Sequence, residues 1–319
     1  MPATDLVDGL RKRRFSLLQS LGFRKLKAEM NFTGFVCWAI IALTGLRKEA
    51  KPEQFKMNVK SKGRQRVIDI LGRAAPCYVK NIFPHPDSGM VIGFNHPSLG
   101  EILRFIYICA DNYEDRVNLF PVNLPWYEAI MPIADDLEKI GIYIMPVLTP
   151  STKRKMAKKA DEETMKVVES LSTALTALYQ QKCVEFVKNK DAVWVAPTAT
   201  RQKTIFKTKD CYFGKEGIEP QTMTFLAFAL QRSKVEKCQF LAVGVVPPED
   251  FGRGLNLFRS YKLDVGKAVT METARKETRT RMTDCPGSLF EFNYLLRITN
   301  CVIDIDKNAK IIYPTEDEE

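Results

Sequence analysis

From about residue 76 onward, short apolar runs alternate with longer amphipathic stretches. The runs at 90–94, 117–121, 141–147, 193–196, 240–246 and 258–265 have the length and β-branched content of strands. Helical spacing is found at 99–110, 126–138, 161–187, 220–232 and 286–297, with Pro132 expected to interrupt the second of these. The long third helix ends near Lys188-Asn189-Lys190, where cations suit the negative end of a helix. Residues 150–161, dense in lysine and polar side chains, read as an exposed connection. Alternation of this kind predicts an α/β fold with a largely parallel central sheet flanked by helices.

The first 75 residues follow another pattern. Leu10, Leu17, Leu18 and Leu21 share one helical face, and seven cations lie between Leu10 and Lys27. Arg14 falls inside the apolar stripe and has to snorkel outward. An uncharged run, Phe32 to Leu46, comes next. It is shorter than the ~20 residues that a spanning helix needs. Two readings stay open for this region: an element at a membrane interface, or a helical cap on the rest of the protein. The expected organisation is a basic helical region at 1–75 and an α/β domain at 76–319.

Charge sharpens the division. Residues 1–80 hold 17 Lys+Arg against 6 Asp+Glu, whereas the remainder holds 31 against 32, so the net charge of +10 resides in the amino-terminal quarter. A basic amphipathic region of this kind suits an anionic membrane surface. No recognisable nucleic-acid-binding motif accompanies it, and nucleic acid is not an expected partner. The eight cysteines are scattered without a Cys-x-x-Cys pair, which disfavours a zinc site or disulfide framework and predicts reduced thiols. No secretory signal pattern opens the chain. A cytoplasmic protein, peripheral on the cytoplasmic face of a membrane, is the expectation.

Only two histidines are available for imidazole chemistry, His85 and His96. His96 lies in Asn95-His96-Pro97-Ser98-Leu99-Gly100-Glu101, directly after the apolar run that ends at Phe94. Histidine takes a proton near neutral pH, and a nearby carboxylate can fix its tautomer and stabilise the imidazolium. Open α/β sheets place their ligands at such strand ends. From these residues alone the segment is either a general base with its orienting acid, or a loop histidine before a helix that starts at Ser-Leu-Gly-Glu.

Asn-His followed by four residues and an acid resembles the first signature of the glycerolipid acyltransferases, the glycerol-3-phosphate and lysophosphatidate acyltransferase superfamily. Here the acid is Glu101 in place of the usual Asp. Gly141 to Val147 is similar to the second block of that family, with Met145 and Pro146 where an arginine is usual. Val193 to Arg201 is similar to the third, keeping Pro197, Thr200 and Arg201 but carrying Thr198 and Ala199 for Glu and Gly. Leu241 to Pro247 resembles the fourth.

The resemblance implies transfer of a fatty acyl group from an acyl-CoA or acyl-carrier-protein thioester to a hydroxyl of glycerol 3-phosphate or a lysophospholipid. His96 would deprotonate the acceptor alcohol, and Glu101 would hold the far ring nitrogen. Arg201 matches the position that binds the acceptor phosphate; Thr198, Thr200 and Lys203 would line the same substrate site, Lys203 by proximity. No metal or resident cofactor is implied, the thioester being a co-substrate. The altered blocks leave a second reading, a catalytically silent lipid-binding protein on the same fold.

Overall fold

The computed structural model describes residues 24–51, 61–94, 101–113, 115–158, 160–196, 204–207, 212–214, 226, 229–230, 232–235, 237–246, 257–270 and 310–312. In chain order, α1 (Arg24–Thr44), α2 (Lys62–Ala74), β1 (Cys77–Lys80), β2 (Gly89–Phe94) and α3 (Glu101–Asn112) lead into β3 (Asn118–Asn123), α4 (Leu124–Glu138) and β4 (Ile142–Val147). There follow α5 (Pro150–Ala157), α6 (Glu162–Lys188), β5 (Ala192–Val195), β6 (Thr204–Lys207), β7 (Tyr212–Gly214), β8 (Cys238–Val246), β9 (Tyr261–Val265), β10 (Val269–Thr270) and β11 (Lys310–Ile312). Two compact units divide the chain, one from Met1–Leu71 with Ile106–Lys182, the other from Gly72–Phe105 with Cys183–Glu319. Residues 24–51 and 61–71 of the basic region thus share a unit with part of the α/β sequence.

In the first unit β3 and β4 pair in parallel, from Asn118↔Ile142 to Asn123↔Val147, and α4 connects them. Parallel neighbours need such a crossover. Leu124, Leu148, Met156, Val168 and Leu175 form a buried cluster contributed by α4, α5, α6 and the turn after β4. Helix α1 packs on α4, and Gly34 sets the closeness of approach: a Cβ there would lie 2.3 Å from the Ala129 carbonyl oxygen.

A buried charge network fixes the end of this helix pair. Lys139 Nζ donates to the carbonyls of Leu46 and Arg47, at 3.0 and 3.1 Å, and to Asp136 Oδ1 at 3.1 Å. A cation on carbonyls at a helix end satisfies groups that the helix leaves open. Arg47 Nε donates to Asp136 Oδ2 at 3.1 Å, and Lys51 Nζ lies 2.6 Å from Glu138 Oε2.

The second unit holds a mixed, mostly parallel sheet with strands in the order β1-β9-β8-β2-β5. The β1/β9, β8/β2 and β2/β5 pairs are parallel; β9 and β10 run antiparallel to β8. All six residues of β2 and all four of β5 are buried. Strands covered on both faces need uninterrupted apolar sequence, which is what these runs contain. Gly89 lets β2 start against the end of α6, where a Cβ would lie 2.1 Å from the Val187 carbonyl oxygen. A small three-stranded sheet, β11-β6-β7, belongs to the same unit.

The α/β class and the flanking helices agree with the sequence expectation. Two local expectations are corrected. Pro132 lies inside α4 without ending it: Ile130, Ile133, Ala134 and Leu137 are all buried, and their packing carries the helix past the missing N–H. Residues 150–161 contain a helix, α5, capped by Thr149, whose hydroxyl accepts from the Thr152 amide at 3.4 Å. Thr-Pro at a helix start is a signal that the lysine-rich composition obscured. The uncharged run 32–46 covers the last part of α1, Gly45 and the first residue of the short 3-10 turn Leu46–Lys48. The expected helix 286–297 lies outside the described residues, as does most of 220–232. Among the described residues no helix is long and apolar enough to cross a membrane.

Candidate functional site

Sheet order brings together segments that are far apart in sequence. β2 leads towards the segment 95–101, β5 and β8 belong to the segments that run to Arg201 and Pro247, and β2 lies between the other two. Gly93 pairs with Val195 and Ala242, and Phe94 with Val243, all in parallel register. The chain therefore leaves β2 and β5 from the same end of the sheet, the carboxyl end at which open α/β sheets bind ligands. The segment Gly141 to Val147 forms β4, which belongs to the other unit.

Glu101 is the first residue of α3, seven positions after the buried end of β2, and is itself 2% exposed. A carboxylate in the first turn of a helix is favoured by the aligned peptide dipoles. Aromatic packing fixes this end of the helix on the sheet. Phe105 meets Phe94 edge to face with centroids 4.6 Å apart, and meets Trp194 of β5 at 5.3 Å. Phe83 closes the cluster at 6.3 Å from Trp194. Such pairs have directional preferences beyond their buried area, so they set the angle as well as the distance of α3.

One turn after Glu101, Arg104 is fully buried. Its two terminal nitrogens donate to the carbonyls of Leu257 and Arg259, in the chain leading to β9. Its guanidinium carbon lies 4.3 Å from the centre of the Tyr261 ring. Burial lowers its pKa to about 10, while Tyr261, Cys77 and Glu101 act in the opposite direction. At neutral pH it therefore remains a cation beside Glu101. Sequence reasoning passed over this residue. Its signal was a lone cation within the apolar run from Ile102 to Ala110, because a charge buried there needs polar partners from elsewhere in the fold.

Among the residues expected from sequence to form the site, Glu101 is described. His96, Thr198, Thr200, Arg201 and Lys203 lie outside the described residues. His85 is exposed in the segment before β2. A basic cluster lies on α5, with Arg154 and Lys155 exposed and Lys153 half-buried. Among the described residues no group of three or more His, Cys, Asp or Glu side chains is placed to hold a metal ion.

Comparison with known proteins adds no assignment: no protein-family model matches the chain, and no curated protein matches it at a significant level.

Proposed function

We propose that this protein is an O-acyltransferase of the glycerolipid type, moving a fatty acyl group from a coenzyme A or carrier-protein thioester to glycerol 3-phosphate or a lysophospholipid. The observation that carries the reading is the buried Glu101, held at the start of α3 directly beyond the end of β2, with Asn95-His96 in the connecting segment. The neighbouring positions of β2 and β5 support it, since the segments that follow them contain His96 and Arg201.

In this reading His96 takes the proton of the acceptor hydroxyl as its oxygen attacks the thioester carbonyl. The C–O bond forms, the C–S bond breaks, and the thiol leaves with a proton returned from the imidazolium. Glu101 orients the ring, and its negative charge favours the imidazolium. Arg201, aided by Thr198, Thr200 and Lys203, binds the acceptor phosphate, for which a guanidinium fork is well shaped. Such acceptors and products are amphiphiles or their precursors, and we place the protein at the cytoplasmic face of a membrane.

Purified protein given labelled acyl-CoA or acyl-carrier protein and a panel of glycerophosphate and lysophospholipid acceptors tests this directly. Labelled product that depends on His96 is the expected result. Tight lipid binding without turnover would support the silent lipid-binding reading instead, which the Thr198-Ala199 replacement in the third block favours.

A further inference from the structure

From Phe32 onward helix α1 is apolar on both of its sides. Thr33, Val36, Cys37, Ile40, Ile41 and Thr44 are buried, with Gly34 against α4. On the other side Phe32 is 52%, Phe35 62%, Trp38 38% and Leu43 71% exposed, and Ala39 and Ala42 lie between them. At 100° per residue these six positions cover an arc of about 140°. The exposed stripe from Phe32 to Leu43 is ~16 Å long, at 1.5 Å per residue.

We infer that α1 lies in the plane of an anionic lipid surface, with Phe32, Phe35, Trp38 and Leu43 inserted into one leaflet. The inference specifies the contact behind the peripheral placement proposed above, but it rests on the exposed face and not on acyl transfer. Charge selects the occupant. Between residues 9 and 50 the chain has nine Lys+Arg and two Asp+Glu, at both ends of a run from Met30 to Leu46 that has no charge at all. A second copy seated symmetrically on this face would set cations against the same cations. Anionic headgroups complement them, and an apolar helix face flanked by cations is the form that interfacial helices take. Trp38 marks the depth. Its ring stacks with Phe35, centroids 6.0 Å apart, and Arg47 stands 5.1 Å over it. Arg47 is in turn held by Asp136. An aromatic ring with a cation over its face suits the headgroup level, where tryptophan is enriched.

Flotation of the full-length protein with phosphatidylcholine vesicles, with and without phosphatidylglycerol, tests the inference without any need for turnover. Binding should rise with phosphatidylglycerol and fall with salt, and brominated acyl chains should quench fluorescence in wild type but not in Trp38→Phe. The double variant Phe35→Ser/Leu43→Ser should lower the partition coefficient by about tenfold or more. Because both side chains are already exposed, its thermal midpoint should match wild type. Equal binding by the double variant overturns the inference, as does absence of vesicle binding by wild type. A wild-type dimer that this variant converts to monomer would assign the face to a second copy instead. Acyl transfer that persists without vesicle binding would leave the enzyme reading standing and remove this one.

Discussion

Arg104 and Tyr261 form a fully buried stacked pair, the guanidinium carbon 4.3 Å from the ring centre. The pair ties the first turns of α3, which present Glu101, to the entry of β9. The same guanidinium donates to two backbone carbonyls, of Leu257 and Arg259.

Replacing Arg104 should therefore destabilise the protein more than an ordinary core substitution. Leaving the buried Leu257 carbonyl without this donor costs about 1–3 kcal/mol, and a desolvated cation–π contact is worth ~2 kcal/mol. Removing a buried charge offsets part of that loss, so Arg104→Met should cost about 3 kcal/mol. Arg104→Lys should also destabilise, because one ammonium cannot reproduce the fork and the stacked plane. Urea midpoints at unchanged slope read both values; a wild-type midpoint for Arg104→Met would mean that the clamp is dispensable.

Gly34→Ala tests the contact of α1 with α4. Alanine gains up to ~1 kcal/mol over glycine in a helix interior. Here the new Cβ would fall 2.3 Å from the Ala129 carbonyl oxygen, a backbone atom. The helices must separate, and overpacking of this kind costs about 1–3 kcal/mol. A net fall in the thermal midpoint is expected, larger for Gly34→Val, and a rise would contradict the observed approach.

Burial pushes the thiols of Cys37 and Cys77 up to about 12, from an ordinary value of 9.0, and raises those of Cys109 and Cys238 as well. The folded state thus holds these protons more tightly than the unfolded chain. This contribution to stability is complete below pH 9 and is lost as pH rises towards 12. Denaturation midpoints should fall over that range, less steeply in Cys37→Ala. At pH 8 the same thiols should react with a disulfide reagent slowly in native protein and rapidly after unfolding.

For the proposed chemistry, His96→Ala should reduce turnover by ~10²–10⁴, the usual range for base assistance, while His85→Ala should leave it unchanged. Glu101→Gln should lose much of the rate while substrate still binds, because the imidazolium would lack its counter-charge. Equal turnover in Glu101→Gln and wild type, measured on folded protein, would remove Glu101 from the mechanism.

The strands at 90–94, 193–195 and 240–246 were legible because a strand buried on both faces needs only an uninterrupted apolar run. The helices at 101–112 and 162–188 were legible from their periodicity, and Glu101 from its place after a strand. Arg104 was not, since its partners Leu257, Arg259 and Tyr261 lie more than 150 residues away in sequence. Nor were the two sides of α1: both are apolar, so no stripe of polar residues marks which one packs. Local pattern by itself marked the three central strands and these two helices, and placed an acid after a strand end. Tertiary structure decided that β2 lies between β5 and β8, that Pro132 stays within its helix, and that Gly34 rather than Phe35 meets α4. Those outcomes depend on close contacts between distant segments, whose energies no local window of sequence contains.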